Sequence, residues 1–123
     1  MAGKIVMIIE DDVLHMKLFN DVLENQGYKT LRAADGNLAM ELARETQPDL
    51  IILDIRLPFT SGFEVIKQIR NEKGLKDIPV VAVTALADDW DEMDYLSKGF
   101  DGFLAKPIAI PNFEAGDNLL MGT

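Results

Sequence analysis

The chain contains no cysteine, which excludes disulfides, thiol chemistry and thiolate metal sites at once. Positive charge is scarce: 12 Lys and Arg stand against 21 Asp and Glu, a formal net charge of −9. Duplex nucleic acid and anionic membrane surfaces are therefore poor partners. Apolar runs never exceed strand length, so no segment reads as a membrane span. No basic leader followed by an apolar stretch and a cleavage site opens the chain, and a reducing cytoplasm is the expected location. Repeats, linkers and low-complexity stretches are also missing. His15 is the only histidine; near the first turn of a helix, it reads as partly exposed surface rather than a phosphotransfer group.

What is present is an ordinary globular composition, 48% apolar and 27% charged over 123 residues. That length suits one domain spanning residues 1–123, with a core between two helix layers. The runs Ile5-Val6-Met7-Ile8-Ile9 and Leu50-Ile51-Ile52-Leu53 are apolar without alternation. Such runs read as strands buried on both faces of a parallel sheet. Leu14, Leu18, Val22 and Leu23 recur at helical spacing, and Gly27 stands where a helix ends. Tyr28 to Arg32 alternates like an edge strand. Asp35-Gly36 turns into a helix carrying Leu38, Met40, Leu42 and Ala43, stopped by Pro48.

A turn with Pro58, Ser61 and Gly62 leads into a helix with Phe63, Ile66 and Ile69 inward. Pro79 opens a fourth strand, Val80 to Val83, ending at Thr84. Asp88 to Lys98 reads as an acidic helix before Gly99, and Phe103-Leu104-Ala105 as a short fifth strand ending at Lys106-Pro107. Beyond Ile108, Pro111 can start a helix, but Gly116, Asp117 and Asn118 make it short or irregular. The pattern predicts an α/β fold, flavodoxin-like and doubly wound. Its five-stranded parallel sheet runs in the order 2-1-3-4-5 with helices on both faces.

Ligands of such sheets bind at the carboxyl ends of the strands, where the strand order reverses. Glu10, Asp11 and Asp12 follow the first strand, Asp54 the third, Thr84 the fourth and Lys106 the fifth. Like charges gathered at one rim are costly, which suggests a bound cation or a perturbed pKa. Carboxylates without imidazole or thiolate select Mg²⁺ or Mn²⁺ over zinc. A metal bridging Asp54 and a phosphate would neutralise charge during in-line transfer, with Asp54 as nucleophile. Lys106 would pair with the phosphoryl oxygens, Thr84 would donate to one of them, and the backbone carbonyl of Arg56 lies within reach of the metal.

With these residues the chain resembles a receiver domain of the two-component response-regulator (CheY-like) superfamily. The matching motifs are Glu10-Asp11-Asp12, Asp54-Ile55-Arg56-Leu57-Pro58 with Ser61-Gly62, Thr84-Ala85 and Lys106-Pro107. The intervals from Asp54 to Thr84 and from Thr84 to Lys106 agree as well, and the likeness runs from Lys4 to about Phe113. Met16-Lys17-Leu18-Phe19 and Gln26-Gly27-Tyr28 are most similar to DivK-type single-domain regulators.

The resemblance implies that Asp54 accepts a phosphoryl group from a histidine kinase or phosphotransfer protein, and that Glu10 and Asp11 hold Mg²⁺. Asp12 is then a neighbour, equally readable as the first helix's N-cap. Lys106 would contact the phosphoryl group, and its bond to Pro107 is expected to be cis. Thr84 and Phe103 are the implied switch pair, remodelling the helix 4, strand 5, helix 5 face toward a downstream protein. Phe103 can equally be plain edge-strand packing, and Trp90 either anchors a partner or covers the sheet. The chain is expected to be a monomer or a weak, phosphorylation-dependent dimer.

Departures from the family pattern are Phe100, where a small residue is usual, and Pro111 with Gly116 in the last helix. The bulk of Leu86 and Arg56 beside the path of an attacking water suggests slow dephosphorylation. An alternative of the same chemistry is a receiver excised from a hybrid kinase or multidomain regulator. A haloacid-dehalogenase-type hydrolase needs a second acid two residues after its nucleophile, and Arg56 stands there. A flavodoxin-like redox carrier needs a Ser, Thr and Gly phosphate loop where this chain has Glu10-Asp11-Asp12.

Overall fold

The apolar runs become strands, and short caps decide where the helices between them begin. The computed structural model describes residues 4–57, 60–84 and 92–105. In chain order the elements are β1 (Ile5–Ile9), α1 (Val13–Asn25), β2 (Lys29–Ala33), α2 (Gly36–Thr46) and β3 (Leu50–Asp54), then α3 (Gly62–Asn71), β4 (Val80–Thr84), α4 (Glu92–Ser97) and β5 (Gly102–Ala105). The five strands are parallel and ordered β2-β1-β3-β4-β5.

Both sheet faces are apolar, which is why the strands read as unbroken hydrophobic runs. Because side chains alternate along a strand, Met7, Ile9, Ile51, Leu53, Val80 and Ala82 point to one side. There they pack with Ala39, Met40 and Ala43 of α2, with Val65, Ile66 and Ile69 of α3, and with Tyr95 of α4. The intervening Val6, Ile8, Leu50, Ile52, Val81 and Val83 meet Phe19, Val22 and Leu23 of α1 on the other side.

Each long helix starts on a side-chain cap. Asp12 accepts from the N–H groups of Leu14 and His15, Asp35 from Leu38 and Ser61 from Glu64. Asp12→Ala is expected to cost about 1 kcal/mol of stability through loss of this cap. Urea unfolding of the metal-free protein measures it, and an unchanged midpoint would refute the assignment.

Gly27 closes α1 at φ +94°, a conformation that glycine adopts without a Cβ penalty. The N–H of Tyr28 consequently bonds back to Leu23 O at 3.1 Å. Tyr28 thus belongs to the helix end and is buried against α1, so the edge strand starts one residue later than its alternation suggests. Pro48 ends α2 as expected, with Gln47 before it at φ +52°.

Leu14 departs from the α1 stripe. It is 77% exposed, while Phe19, Val22 and Leu23 are the residues of α1 buried in the core. Of the expected inward residues of α3, Ile66 and Ile69 are buried and Phe63 is half-buried. The start of the acidic helix at Asp88, Trp90 and the expected final helix lie outside the described residues. Within them, α4 runs from Glu92 to Ser97.

Candidate metal and phosphoryl site

The strand order fixes the site. From β1 the chain crosses to β2 on one side and then returns to place β3 on the other, so β1 and β3 are neighbours at the reversal point. Ile9 pairs with Leu53, which puts the next residues, Glu10 and Asp54, at the same height on adjacent strands. Asp54 in turn pairs with Val83, so Thr84 ends β4 one step further along the same rim.

Glu10 is 2% and Asp54 3% exposed, the two buried charged residues among those described. Burying carboxylates this far requires partners. Glu10 Oε2 accepts the N–H of Asp12 at 3.2 Å, and Asp54 Oδ1 accepts the N–H of Arg56 at 2.9 Å. Arg56 forms a bridge with Ser61, and Gly62 N–H donates to Ile55 O at 2.7 Å, drawing the start of α3 against the end of β3.

Glu10, Asp11 and Asp54 each bring a carboxylate oxygen to within 4.8 Å of the others. With an effective dielectric of about 20, each pair at such a separation repels by about 3 to 4 kcal/mol. A divalent cation removes that cost. The donors are hard oxygens, and octahedral ligands of Mg²⁺ sit about 3 to 4 Å apart, so the three oxygens fit one ion after a small contraction.

Of the residues expected at the rim, Glu10, Asp11 and Asp54 are brought together, and Thr84 stands at the end of β4. Phe103 lies on β5, half-buried and stacked on Tyr95 with ring centroids 4.9 Å apart. Lys106 and the Lys106-Pro107 bond fall outside the described residues, as do Pro58 and Leu86. Phe100 is accommodated by burial: it is 2% exposed, with its ring edge-on to Phe63 and Tyr95.

Three neighbours of the site have a structural part that the sequence alone does not show. Gly62 is needed because a Cβ there would lie 2.7 Å from Asp54 O and 2.7 Å from Ile55 Cα. Tyr95 is fully buried beneath Phe103, a contact between elements that no local pattern encodes. His15 is partly exposed as expected, its side chain 33% accessible, yet its Nδ1 is buried and faces the acidic loop. The signal was its place three residues after the Asp12 cap, since helical side chains lean toward the N-terminus.

A doubly wound parallel sheet with three carboxylates at its reversal point, two of them buried, defines an α/β protein with a candidate divalent-cation site at the carboxyl ends of its strands. The model of the response regulator receiver domain family matches residues 6–115, and the chain belongs to that family. It is 48% identical over 110 residues to the polar-differentiation response regulator DivK of Brucella ovis, covering 89% of each chain. The DivK protein of Brucella melitensis biotype 1 gives the same figures.

Among solved structures, the receiver domain of the sensor histidine kinase PA1611 from Pseudomonas aeruginosa PAO1 superposes with a TM-score of 0.89 at 28% identity, over 99% of this chain and 100% of that one. That domain holds a magnesium ion in its active-site cleft. The chemotaxis response regulator CheY4 of Vibrio cholerae superposes at 0.88 with 25% identity, over 95% and 98%. The protein is therefore a two-component receiver domain similar to DivK. Among the described residues, no helix is long and apolar enough to cross a membrane.

Proposed function

We propose that residues 1–123 form one receiver domain in which Asp54 is the phosphoacceptor. The observation that carries the reading is the meeting of Glu10, Asp11 and Asp54 oxygens within 4.8 Å, two of these residues buried. An Asp54 carboxylate oxygen attacks the phosphorus of a phosphohistidine on a kinase or phosphotransfer protein. The phosphorus–nitrogen bond breaks, the imidazole takes the electron pair and leaves protonated, and an acyl phosphate remains. Glu10, Asp11, Asp54 and the carbonyl of Arg56 would hold Mg²⁺, or Mn²⁺ in its place. The ion supplies charge neutralisation for the transferring group. Lys106 would pair with the phosphoryl oxygens and Thr84 would hydrogen-bond one of them.

The switch reading assigns Thr84 and Phe103 the task of passing the new charge to the helix 4, strand 5, helix 5 face, where a downstream protein binds. The stack of Phe103 on Tyr95 supports it, because a ring held by one aromatic neighbour can exchange packing as a unit. The chain would act through protein contacts in the cytoplasm, as a monomer or weak phosphorylation-dependent dimer, without nucleic acid or membrane. It would assist its own phosphorylation and a slow autodephosphorylation, retarded by Arg56 and Leu86.

Asp11→Asn tests the metal reading. Losing one of three ligand charges is expected to weaken Mg²⁺ binding about tenfold or more. The stability of the metal-free protein should hold or rise, since one repelling charge is gone. Calorimetric titration with Mg²⁺ and urea unfolding in chelator measure the two effects. Unchanged affinity, or labelling by acetyl phosphate at equal rates in chelator, would refute the role of the ion.

A further inference from the structure

His15 lies in the first turn of α1 with its ring turned back toward the acidic loop. Its Nδ1 is 3.9 Å from Glu10 Oε1 and 3.8 Å from Asp12 Oδ1. The atom is buried although the side chain as a whole is one-third exposed, and it makes no hydrogen bond among the described residues. A buried ring nitrogen without a hydrogen bond is unfavourable, so the geometry is retained by what surrounds it.

Two further facts hold the ring there. The backbone N–H of His15 donates to Asp12 Oδ1 at 3.1 Å, fixing the helix start from which the side chain projects. Glu10 Oε2 accepts from Asp12 N–H, which leaves Oε1 as the oxygen turned toward the imidazole. The loop Glu10-Asp11-Asp12 is thus bound at one end by its own backbone and approached at the other by a ring edge. A movement of about 1 Å brings Nδ1 and Oε1 to hydrogen-bond length.

We infer that His15 is a positioning residue for the divalent-cation site. Through an N–H at Nδ1 it donates toward Glu10 Oε1 and sets the orientation in which that carboxylate faces Asp11 and Asp54. This rests on the metal reading of the carboxylate trio and adds to it a residue outside the trio. Carboxylates near a metal are commonly held by such outer hydrogen bonds, and removing one typically costs 10- to 100-fold in affinity.

The role requires a donor at one place rather than an imidazole as such. Asparagine carries an N–H₂ at the position of Nδ1, counted along the side chain, and alanine carries nothing. The test is Mg²⁺ affinity by calorimetric titration of the whole chain for wild type, His15→Ala and His15→Asn, with urea unfolding of each in chelator. His15→Ala is expected to bind Mg²⁺ about tenfold more weakly at nearly unchanged metal-free stability, and His15→Asn to recover most of the loss. A purely structural role would lower stability without separating the two variants in affinity.

Affinity of His15→Ala within about twofold of wild type, or equal weakness of both variants, would overturn the inference while leaving the carboxylate site intact. Wild type that binds no Mg²⁺ would overturn both. A His15→Ala chain that fails to fold is answered by His15→Asn and His15→Gln: matched affinities there would also refute a donor placed at Nδ1.

Discussion

Asp54→Asn is expected to abolish phosphoryl labelling by acetyl phosphate or by a phosphorylated histidine kinase, to below about one per cent of wild type. That corresponds to a barrier at least about 2.7 kcal/mol higher. The amide nitrogen has no free electron pair to offer phosphorus, and the amide oxygen carries no full charge. The fold should survive, because the amide keeps the carboxylate's shape and its oxygen can still accept the N–H of Arg56, now at 2.9 Å from Oδ1. Metal-free stability should hold or rise, since a buried charge leaves a cluster of three. The incorporated phosphate, measured by intact mass against wild type, decides the matter. Persistent labelling at the wild-type level would place the acceptor on another residue.

Gly62→Val should damage both the fold and the chemistry. The new Cβ would stand 2.7 Å from the carbonyl oxygen of Asp54 and 2.7 Å from Ile55 Cα, with Ile55 Cδ1 at 3.2 Å. The first two are backbone atoms at and just after the end of β3 and cannot swing aside. Either α3 shifts outward, breaking the 2.7 Å bond from Gly62 N–H to Ile55 O, or the peptide after Asp54 twists. Overpacking of this kind costs about 1 to 3 kcal/mol, and a branched side chain against backbone belongs at the upper end. A displacement of the Asp54 oxygens by about 1 Å would slow labelling by about a hundredfold. Urea midpoints and initial labelling rates at saturating Mg²⁺ report the two effects. A variant with wild-type values in both would show that the close approach is not required.

The strands were legible because the runs at Ile5–Ile9 and Leu50–Asp54 are buried on both faces, leaving no polar alternation to misread. The helix starts were legible for a local reason: Asp12, read as a cap, and Asp35 and Ser61, read as turn residues, each satisfy N–H groups within three residues of themselves. The rotation of α1 was less so. A helical period names a stripe but not which of its residues the sheet will cover, and Leu14 is exposed while Phe19 is buried. Phe100 stands where the family resemblance suggests a small side chain. Two aromatic neighbours, Phe63 and Tyr95, come from other elements to enclose it. His15 was legible as partly exposed; the direction of its ring was not.

From residue order alone come the alternation of strands and helices, the carboxylates at strand ends and an all-oxygen donor set of the kind that suits a hard cation, because periodicity, capping and ligand chemistry are short-range properties. Tertiary structure alone decided that Ile9 lies beside Leu53, which levels Glu10 with Asp54, that a glycine must separate α3 from the end of β3, and that an imidazole edge looks onto the acidic loop. These are matters of adjacency between distant segments. They follow from which way each crossover returns to the sheet, and no local pattern carries that information.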